Sequence, residues 1–358
     1  MERFGFVGLP NAGKSSLYNA LAGGGALAAP YAFATVDPNV GVAKVPDRRV
    51  DLLGEMAKTR TLVHAAVQFV DIAGLVKGAA QGEGLGNRFL AHIREVDAVV
   101  FVLRAFSDPD VPGSDDPLDQ LSTLEVELVY ADLEALEKQV EKRRKAARAD
   151  KSLQAEVDAI DAAIGELQAG TALYRSTLSD EHRAALRPFF LLTNKPAMAV
   201  VNVDEDSLDA LDAAAAPVAA ALGPDSDVVA ACVQLEAEAV LLPEDERAEM
   251  LDALGLGEGA LPRFVRSAFH MLGLRTYFTT GEKETRAWTF RAGAKAPQAA
   301  GVIHTDFERG FIRAECIQWD ELLELGSWAK AREVGKLRVE GKDYEVCDGD
   351  VMEFRFNV

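Results

Sequence analysis

The segment that most constrains this chain is GLPNAGKS, from Gly8 to Ser15, which fits the pattern G-x-x-x-x-G-K-[ST]. A short apolar stretch precedes it and an amphipathic stretch follows it, as in a strand, loop and helix unit. In such a unit backbone amides approach phosphate oxygens, the lysine reaches the β and γ phosphates, and the hydroxyl ligates magnesium. The residues predicted to contact the nucleotide here are Gly8, Asn11, Ala12, Gly13, Lys14, Ser15 and Ser16. The segment predicts a nucleotide-binding α/β fold.

Two further segments predict loops that respond to the γ-phosphate. VDIAG gives Asp71 and Gly74 in a D-x-x-G pattern, in which Asp71 can hold magnesium through water and the Gly74 amide can meet the γ-phosphate. Upstream, YAFATVDPNVG contains Thr35, a candidate magnesium ligand. The residue after D-x-x-G is Leu75, which cannot hydrogen-bond the attacking water as a Gln does in many such enzymes. We expect Lys14 and Gly74 to act in a slow hydrolysis whose water is oriented by another group.

Asn11 offers a carbonyl oxygen inside the phosphate loop. It either shapes the loop or ligates a potassium ion that offsets the charge developing during hydrolysis. Equal hydrolysis rates in sodium and potassium buffers would exclude the second role.

Two short segments compete for recognition of the purine. Residues 194–197, NKPA, have Ala197 where a guanine-reading site needs a carboxylate, and we expect no base recognition there. Asn202 instead ends an apolar run, where ligand contacts are usual in an open α/β sheet, and it begins N-x-x-E with Glu205. Glu205 is one methylene longer than the Asp of a guanine reader, so the guanine preference should weaken. We predict that Asn202, Val203 and Glu205 hold the base of ATP in preference to GTP.

Residues 118–186 are rich in Leu, Ala, Glu, Lys and Arg and contain no proline. Their second half carries a heptad seam of Leu153, Val157, Ile160, Ile164 and Leu167. Their first half carries a looser seam of Leu121, Leu124, Leu128, Ala135 and Val140. The two seams predict a hairpin of two helices.

A basic cluster should lie near the tip of this hairpin. Its members are Lys142, Arg143, Arg144, Lys145 and Arg148. The cluster is either a solvated helix face or an RNA contact, and the sequence favours neither.

From about Thr276, short alternating segments separated by turns predict a small mixed β domain. Its Trp288, Phe307 and Phe311 are more often core residues than base-stacking platforms, and His304 is more often structural than catalytic.

Composition limits the remaining functions. The formal net charge of -19 argues against a surface that binds nucleic acid nonspecifically everywhere. The sequence contains neither a long apolar run nor a signal-peptide pattern, so we expect a cytoplasmic protein. Cys232, Cys316 and Cys347 are widely spaced, which predicts reduced thiols and no zinc site.

Over nearly its full length the chain resembles the YchF family, the Obg-like ATPases among the Obg-related GTPases. The resemblance rests on GLPNAGKSSLYNAL, FVDIAGLVKGAAQGEGLGNRFLAHIREVDAVVFVLR, VNVDE, TYFTTGEKETRAWTFRAGAKAPQAAGVIHTDFERGFIRAECI and EGKDYEVCDGDVMEFRFNV. It implies an α/β P-loop NTPase G domain (1–117 and 187–275) with an inserted antiparallel helical coiled-coil arm (118–186) and a C-terminal β-grasp (TGS) domain (276–358). It also implies slow, magnesium-dependent hydrolysis of ATP and association with ribosomes.

The chain departs from the family in residues 106–117, where YchF proteins often carry a histidine that could orient the water, and this chain has none. His92 is the nearest alternative in sequence, although a packing role in its helix is favoured. We therefore expect a slow ATP-driven switch that binds the ribosome or its RNA. The alternatives are an Obg-type GTPase, and a nucleotide-gated RNA- or ribosome-binding adaptor with vestigial hydrolysis.

Overall fold

The computed structural model describes residues 1–23, 40–72, 85–108 and 113–357, which form two compact units. Within these residues, the first unit takes 1–23, 40–43 and the described part of 68–264, and the second takes 44–67 and 265–357. The sequence prediction assigned 44–67 and 265–275 to the nucleotide-binding domain, whereas in the structure these residues pack within the second unit.

The first unit is built around a six-stranded sheet. Its strands are β1 (Arg3–Val7), β2 (Val40–Lys44), β4 (Ala66–Asp71), β5 (Ala98–Arg104), β6 (Ala197–Asn202) and β7 (Val228–Ala231), in the order β2-β4-β1-β5-β6-β7. The pairs of β1 with β4 and β5, of β5 with β6, and of β6 with β7 are all parallel. The carboxyl ends of these five paired strands therefore meet at one edge, as the predicted α/β fold requires.

Buried apolar strands hold this sheet together. Every residue of β5 and of β6 is buried, which is typical of parallel strands covered on both faces. On one face the rings of Phe6, Phe69 and Phe264 pack together, with Phe6 and Phe69 stacked at 5.3 Å between centroids. The sheet is therefore a rigid frame for the loops at its edge.

The α-helices around this sheet are numbered in chain order with those of the second unit. They are α1 (Lys14–Gly23), α3 (Leu85–Glu95), α4 (Pro117–Ala149), α5 (Gln154–Gln168), α6 (Asp180–Leu186), α7 (Leu211–Leu222), α8 (Val233–Val240), α9 (Glu244–Ala253) and α10 (Ala260–Met271), whose residues from 265 onward belong to the second unit.

Helices α4 and α5 form the predicted hairpin, with the turn at residues 150–153. The second seam is confirmed from Val157 onward, because Val157, Ile160 and Leu167 are buried and Ile160 and Leu167 pack with Leu136 of α4. Its first residue, Leu153, lies in the turn before α5 and is half-buried. The first seam is partly wrong. Its N-terminal leucines pack into the core of the sheet instead of against α5, because the first half of α4 lies beside β5; they are Leu121, Leu124 and Leu128.

The second unit is the mixed β structure that the alternating segments predict. Its strands are β3 (Thr61–Val63), β8 (Leu274–Thr279), β9 (Glu284–Arg291), β10 (Phe311–Gln318), β11 (Arg338–Glu340) and β12 (Asp350–Phe356), in the order β11-β10-β12-β8-β9-β3. Its helices are α2 (Arg48–Ala57), α11 (Ala296–Ile303), α12 (Thr305–Arg309), α13 (Trp319–Leu325) and α14 (Trp328–Glu333).

The aromatic residues of this unit serve mainly as core. Phe311 is buried with Tyr277 and Phe290, while Trp288 and Phe307 pack partly buried against the same cluster. The Nδ1 atom of His304 accepts from the Asp306 amide and caps α12, so the predicted structural role of His304 is confirmed.

Three other sequence expectations concern single features. Cys232 and Cys316 are buried and Cys347 is exposed, all as free thiols. Within the part of the chain that the structure describes, no His, Cys, Asp and Glu side chains cluster in a way that could hold a metal by themselves. None of the helices described there has the length and apolar character needed to cross a membrane.

Candidate nucleotide-binding site

The candidate site lies at the edge where the parallel strands end. Lys14 follows β1, Asp71 ends β4, Asn202 ends β6, and Cys232 follows β7. Because neighbouring parallel strands deliver their last residues side by side, side chains that are far apart in sequence converge here. Phe6 of β1 pairs with Asp71, and Arg104 of β5 pairs with Asn202.

The phosphate loop between β1 and α1 is held by its own lysine. Lys14 is buried, and its Nζ donates to the carbonyls of Gly8 at 3.1 Å and Leu9 at 2.8 Å. Burial lowers the pKa of Lys14 below its ordinary value, and the nearby Asp71 carboxylate acts in the opposite direction. The ammonium group is therefore placed inside the curve of the loop, where a phosphate would meet it.

Two residues of this loop have left-handed backbone conformations. Asn11 has φ 63° and Gly13 has φ 99°. At Gly13 a Cβ atom would lie 2.4 Å from the Asn202 Nδ2, and at Gly8 one would lie 2.5 Å from the carbonyl oxygen of Val102. The two motif glycines are thus required by close contacts with β5 and β6.

Asn202 joins the phosphate loop to the start of α8. Its Nδ2 donates to the carbonyl of Ala12 at 3.1 Å, and its Oδ1 accepts from the amide of Val233 at 3.1 Å. The side chain is buried, so both bonds are shielded from water. Asn202 therefore fixes the distance between the phosphate loop and the start of α8.

Ser15 and Asp71 bring two oxygen ligands together beside Lys14. The Ser15 hydroxyl donates to Asp71 Oδ2 at 2.8 Å, and Ser15 and Ser16 are both exposed at the start of α1. Hydroxyl and carboxylate oxygens suit magnesium, which usually keeps several waters and takes one or two protein ligands. The structure thus places both predicted ligands in contact.

Val203 and Glu205, which follow Asn202, differ in their exposure to solvent. Val203 is buried and its amide donates to the carbonyl of Ala231 at 3.0 Å, which continues the sheet. Glu205 is exposed in the short 3-10 segment Glu205–Ala210. Its carboxylate is therefore open to solvent at the end of the sheet that carries Asn202.

The competing NKPA segment lies at the wrong end of β6. Lys195 Nζ donates to the carbonyls of Arg94, at 2.9 Å, and Val96, which end and follow α3. Asn194 donates to the carbonyl of Arg183 at 3.1 Å. Both side chains bind backbone groups of the first unit, and the prediction that this segment does not read a base agrees with that placement.

Several predicted residues cannot be located in the site. Thr35, Gly74 and Leu75 lie outside the described residues. His92 is described and is exposed in the last turn of α3, so it is not a packing residue of that helix. The packing role favoured for His92 is therefore wrong.

Sequence reasoning missed Arg104, a buried cation beside Asn202. Its guanidinium lies over the ring of Phe106, with 5.3 Å from Cζ to the centroid. Its amide donates to Gln120 Oε1, and Gln120 Nε2 donates to its carbonyl. The available signal was a single charged residue at the end of the apolar strand AVVFVLR.

The basic cluster lies in the last turns of α4, at the tip of the hairpin as predicted. Arg143 pairs with Glu156 at 3.1 Å, and Arg144 pairs with Glu141 and Asp161 at 2.7 and 2.8 Å. The other cations of the cluster are exposed and make no ion pair with the described residues; they are Lys142, Lys145 and Arg148. Arg143 and Arg144 thus link α4 to α5 through ion pairs, while the other three charges face solvent.

Two family models match separate parts of the chain. A family model described as "50S ribosome-binding GTPase" matches residues 3–202. A second model, YchF-GTPase_C, described as "Protein of unknown function (DUF933)", matches residues 274–357.

Similar proteins align with the chain from end to end. "Ribosome-binding ATPase YchF" of Bacillus subtilis (strain 168) is 44% identical, and the protein of that name from Escherichia coli O157:H7 is 45% identical; each alignment covers 99% of both chains. A solved structure described as the Schizosaccharomyces pombe YchF GTPase is 34% identical with a TM-score of 0.88, and it covers 99% of this chain and 97% of its own. The names of these proteins differ in the nucleotide, since the two bacterial relatives are named ATPases and the solved structure a GTPase.

Proposed function

This chain belongs to the YchF family, and on that basis we propose that it is a ribosome-associated nucleoside triphosphatase that prefers ATP and works as a slow nucleotide switch in the cytoplasm. The observation that carries the proposal is the double hydrogen bond of Asn202, which ties the phosphate loop to the start of α8. Around that bond lie Lys14, Ser15 and Asp71, which we expect to bind phosphate and magnesium. In the proposed domain scheme residues 276–358, which lie within the second unit, form a TGS domain.

The binding step begins with exchange of hydrogen bonds at Lys14. Its ammonium group donates to the carbonyls of Gly8 and Leu9, and a triphosphate would replace these acceptors with β and γ oxygens. A charge-assisted bond to phosphate is stronger than one to a neutral carbonyl, so the exchange favours binding. The phosphate loop amides complete the cradle at the start of α1.

Magnesium fits the oxygen ligands of the site. Ser15 would bind it directly, Asp71 through water, and Thr35 would supply a further ligand from the segment before β2. When it is bound, the ion would neutralise charge on the β and γ phosphates. Asn11, exposed in the loop with φ 63°, would ligate a potassium ion in the same way.

Hydrolysis should be slow because this chain has no positioned water ligand after its D-x-x-G motif. Lys14 and the Gly74 amide would stabilise the transition state, but Leu75 can neither donate nor accept a hydrogen bond. His92, exposed on α3, is a candidate for orienting the water in its place. Slow turnover suits a switch that stays in its triphosphate-bound state until a partner accelerates hydrolysis.

The preference for ATP rests on Glu205. A guanine reader uses an aspartate that accepts two hydrogen bonds from the base, and this chain has a longer, exposed glutamate at that position. Weakened discrimination against adenine follows. An Obg-type GTPase is the alternative, because the carboxylate of Glu205 can still accept from a guanine.

The exposed basic residues at the hairpin tip support contact with ribosomal RNA. Lys142, Lys145 and Arg148 point into solvent at the far end of α4, where phosphate groups can reach them. Charge reversal at all three should weaken ribosome binding and reduce its dependence on salt. Unchanged binding and salt dependence would assign the cluster to solvation instead.

Calorimetric titration with non-hydrolysable ATP and GTP analogues in magnesium buffer tests the nucleotide preference. We expect tighter binding of the ATP analogue, and loss of binding of both analogues in Asn202→Ala. Glu205→Ala tests the choice of base separately, because this variant keeps both hydrogen bonds of Asn202 intact. Tighter binding of the GTP analogue would replace the ATPase proposal with the GTPase alternative.

A nucleotide-gated RNA- or ribosome-binding adaptor is the remaining alternative, and Leu75 favours it because hydrolysis lacks its usual water ligand. Co-sedimentation of Lys14→Ala with ribosomes separates the two. Ribosome association that this variant retains without nucleotide would favour the adaptor, whereas a switch would require the nucleotide that this variant cannot hold.

A further inference from the structure

Residues 44–67 lie between two strands of the nucleotide-binding sheet but belong to the other unit. The chain leaves β2 at Lys44, packs within the second unit, and returns along β4, which ends at Asp71. The amide of Val45 donates to the carbonyl of Ala65 at 2.8 Å, so the two ends of this segment are hydrogen-bonded to each other. We call residues 44–67 the shared segment.

The shared segment contributes one strand to the sheet of the second unit. Strand β3 pairs in parallel with β9, and Thr61 lies opposite Glu284. The neighbouring amide of Arg60 donates to the carbonyl of Glu282 at 3.1 Å. Backbone hydrogen bonds of a sheet fix the register of its strands, so β3 must move with β9.

Helix α2 of the shared segment is held by a polar contact at its first turn. The Arg49 guanidinium donates to Asp348 Oδ2 at 2.7 Å, to Thr276 Oγ1 at 2.8 Å, and to Asp47 Oδ2 at 2.8 Å. Asp348 in turn accepts from the amide of Thr276 at 2.8 Å. The guanidinium also lies over the ring of Phe278, 5.0 Å from its centroid. Charge-assisted bonds of this kind are among the stronger contacts that a partly buried surface can make.

Hydroxyl groups hold the C-terminal side of α2. Thr59 Oγ1 donates to the carbonyl of Gly281 at 2.6 Å and lies 2.7 Å from Thr285 Oγ1. Thr285 is buried and lies 2.8 Å from Thr280 Oγ1. The shared segment is thus attached to the second unit at both ends of α2 and along β3.

A short, direct route runs from this segment to the phosphate loop. Asp71 accepts from Ser15 at 2.8 Å, and it ends the strand that begins at Ala66. Asp71 lies four positions along the strand from residue 67, the end of the shared segment, which is roughly 13 Å of extended chain. A strand paired along its length transmits a displacement because its hydrogen bonds resist sliding.

We propose that the shared segment couples nucleotide binding to the second unit, so that this unit senses whether the site at Ser15 and Asp71 is occupied. This inference rests on the proposed function, because it takes nucleotide binding at the phosphate loop as its input. Coupling between two sites is reciprocal. A partner bound to the second unit must therefore change the affinity for nucleotide by the same factor.

The chain carries a built-in reporter for this coupling. Its three tryptophans, Trp288, Trp319 and Trp328, all lie in the second unit. Trp319 begins α13, which packs against α2. Tryptophan emission of the full chain therefore reports on the second unit while the nucleotide binds to the first.

The experiment is a titration of the full chain with a non-hydrolysable ATP analogue in magnesium buffer, followed by tryptophan emission and, in parallel, by calorimetry. The variants are Asp348→Asn, which weakens the contact with Arg49, and Thr59→Val, which removes an exposed hydroxyl and should fold normally. The matched control is Asp343→Asn, which removes an acid from the same unit at an exposed pair with Lys295.

We expect a saturable emission change in the wild type and in Asp343→Asn, with the dissociation constant that calorimetry gives. Asp348→Asn and Thr59→Val should lose most of that change while their calorimetric affinity for the analogue is kept. An emission change of full size in both variants would overturn the inference, as would binding to the wild type without any emission change. Absence of calorimetric binding to the wild type would instead defeat the proposed function.

Discussion

At the scale of single residues, Asp132 of α4 is a buried carboxylate that accepts three hydrogen bonds. It accepts from the amides of Leu192 and Thr193 and from the Thr193 hydroxyl, at 2.7 to 2.8 Å. Burial nevertheless raises the pKa of Asp132 to about 6. Because this folded pKa lies above the unfolded value, the folded state holds the proton more tightly, and the stability contributed by that proton is lost as pH rises through about 6.

We therefore expect the free energy of unfolding of the wild type, relative to Asp132→Asn, to fall by about 2 kcal/mol between roughly pH 4.5 and pH 7. Urea unfolding at a series of pH values measures both proteins under the same conditions. The asparagine does not titrate, so all other carboxylates cancel in the difference. A difference that stays constant with pH would contradict this assignment.

Ser15 allows a second prediction at the same scale. If its hydroxyl ligates magnesium, Ser15→Ala should lower nucleotide affinity by about 10- to 100-fold in magnesium, the equivalent of one lost bond to a charged group. Without magnesium, in the presence of a chelator, the variant and the wild type should bind equally. The comparison of the two buffers is the control, and an equal loss in both would assign Ser15 a role in folding the loop.

At the scale of secondary structure, Lys195 connects β6 to the end of α3. Its Nζ donates to the carbonyls of Arg94 and Val96, and burial lowers its pKa below the ordinary value. Lys195→Met keeps the length of the side chain but leaves these carbonyls without their donor, at a cost of about 1–3 kcal/mol. Hydrogen exchange of the amides that end α3 should speed up accordingly. Lys138→Met, which breaks an exposed pair with Glu134, should leave that exchange unchanged.

What the sequence could predict at this scale depended on how local the pattern was. The phosphate loop, Asp71 and Asn202 each follow an apolar strand, so their common edge could be inferred from short motifs alone. The partner of β3 could not, because Thr61 pairs with Glu284 across more than half of the chain and TLV is too short for a periodic signal. The same holds for Lys195, whose acceptors are backbone carbonyls that no motif marks.

The first half of α4 shows a different limit of prediction from sequence. Leu121, Leu124 and Leu128 have helical spacing, and that spacing predicts a buried face without saying which element covers it. Their partner is the sheet core, while Leu136 and Val140 face α5. One continuous helix thus changes partners along its length, and a single seam could not reveal the change.

At the scale of the whole molecule, the second unit is assembled from two separate stretches of sequence. A fragment of residues 265–358 lacks α2 and β3, and with them the buried Val50 and Leu53. Each fully buried side chain of this kind contributes about 1.5–3 kcal/mol, so we expect the fragment to unfold at a lower urea concentration than the unit within the full chain. A synthetic peptide of residues 44–67 should restore part of the loss. Tryptophan emission follows both transitions, and a fragment unaffected by the peptide would contradict the expectation.

The shared segment also sets an order of events during synthesis. A ribosome must add about 200 residues after residue 67 before β9 emerges, which takes about 10–40 s at ordinary elongation rates. During that interval the apolar face of α2 and the edge of β3 have no partner from their own chain. A newly made molecule of this protein therefore exposes these two surfaces for its first seconds, and chaperones can bind them during that time.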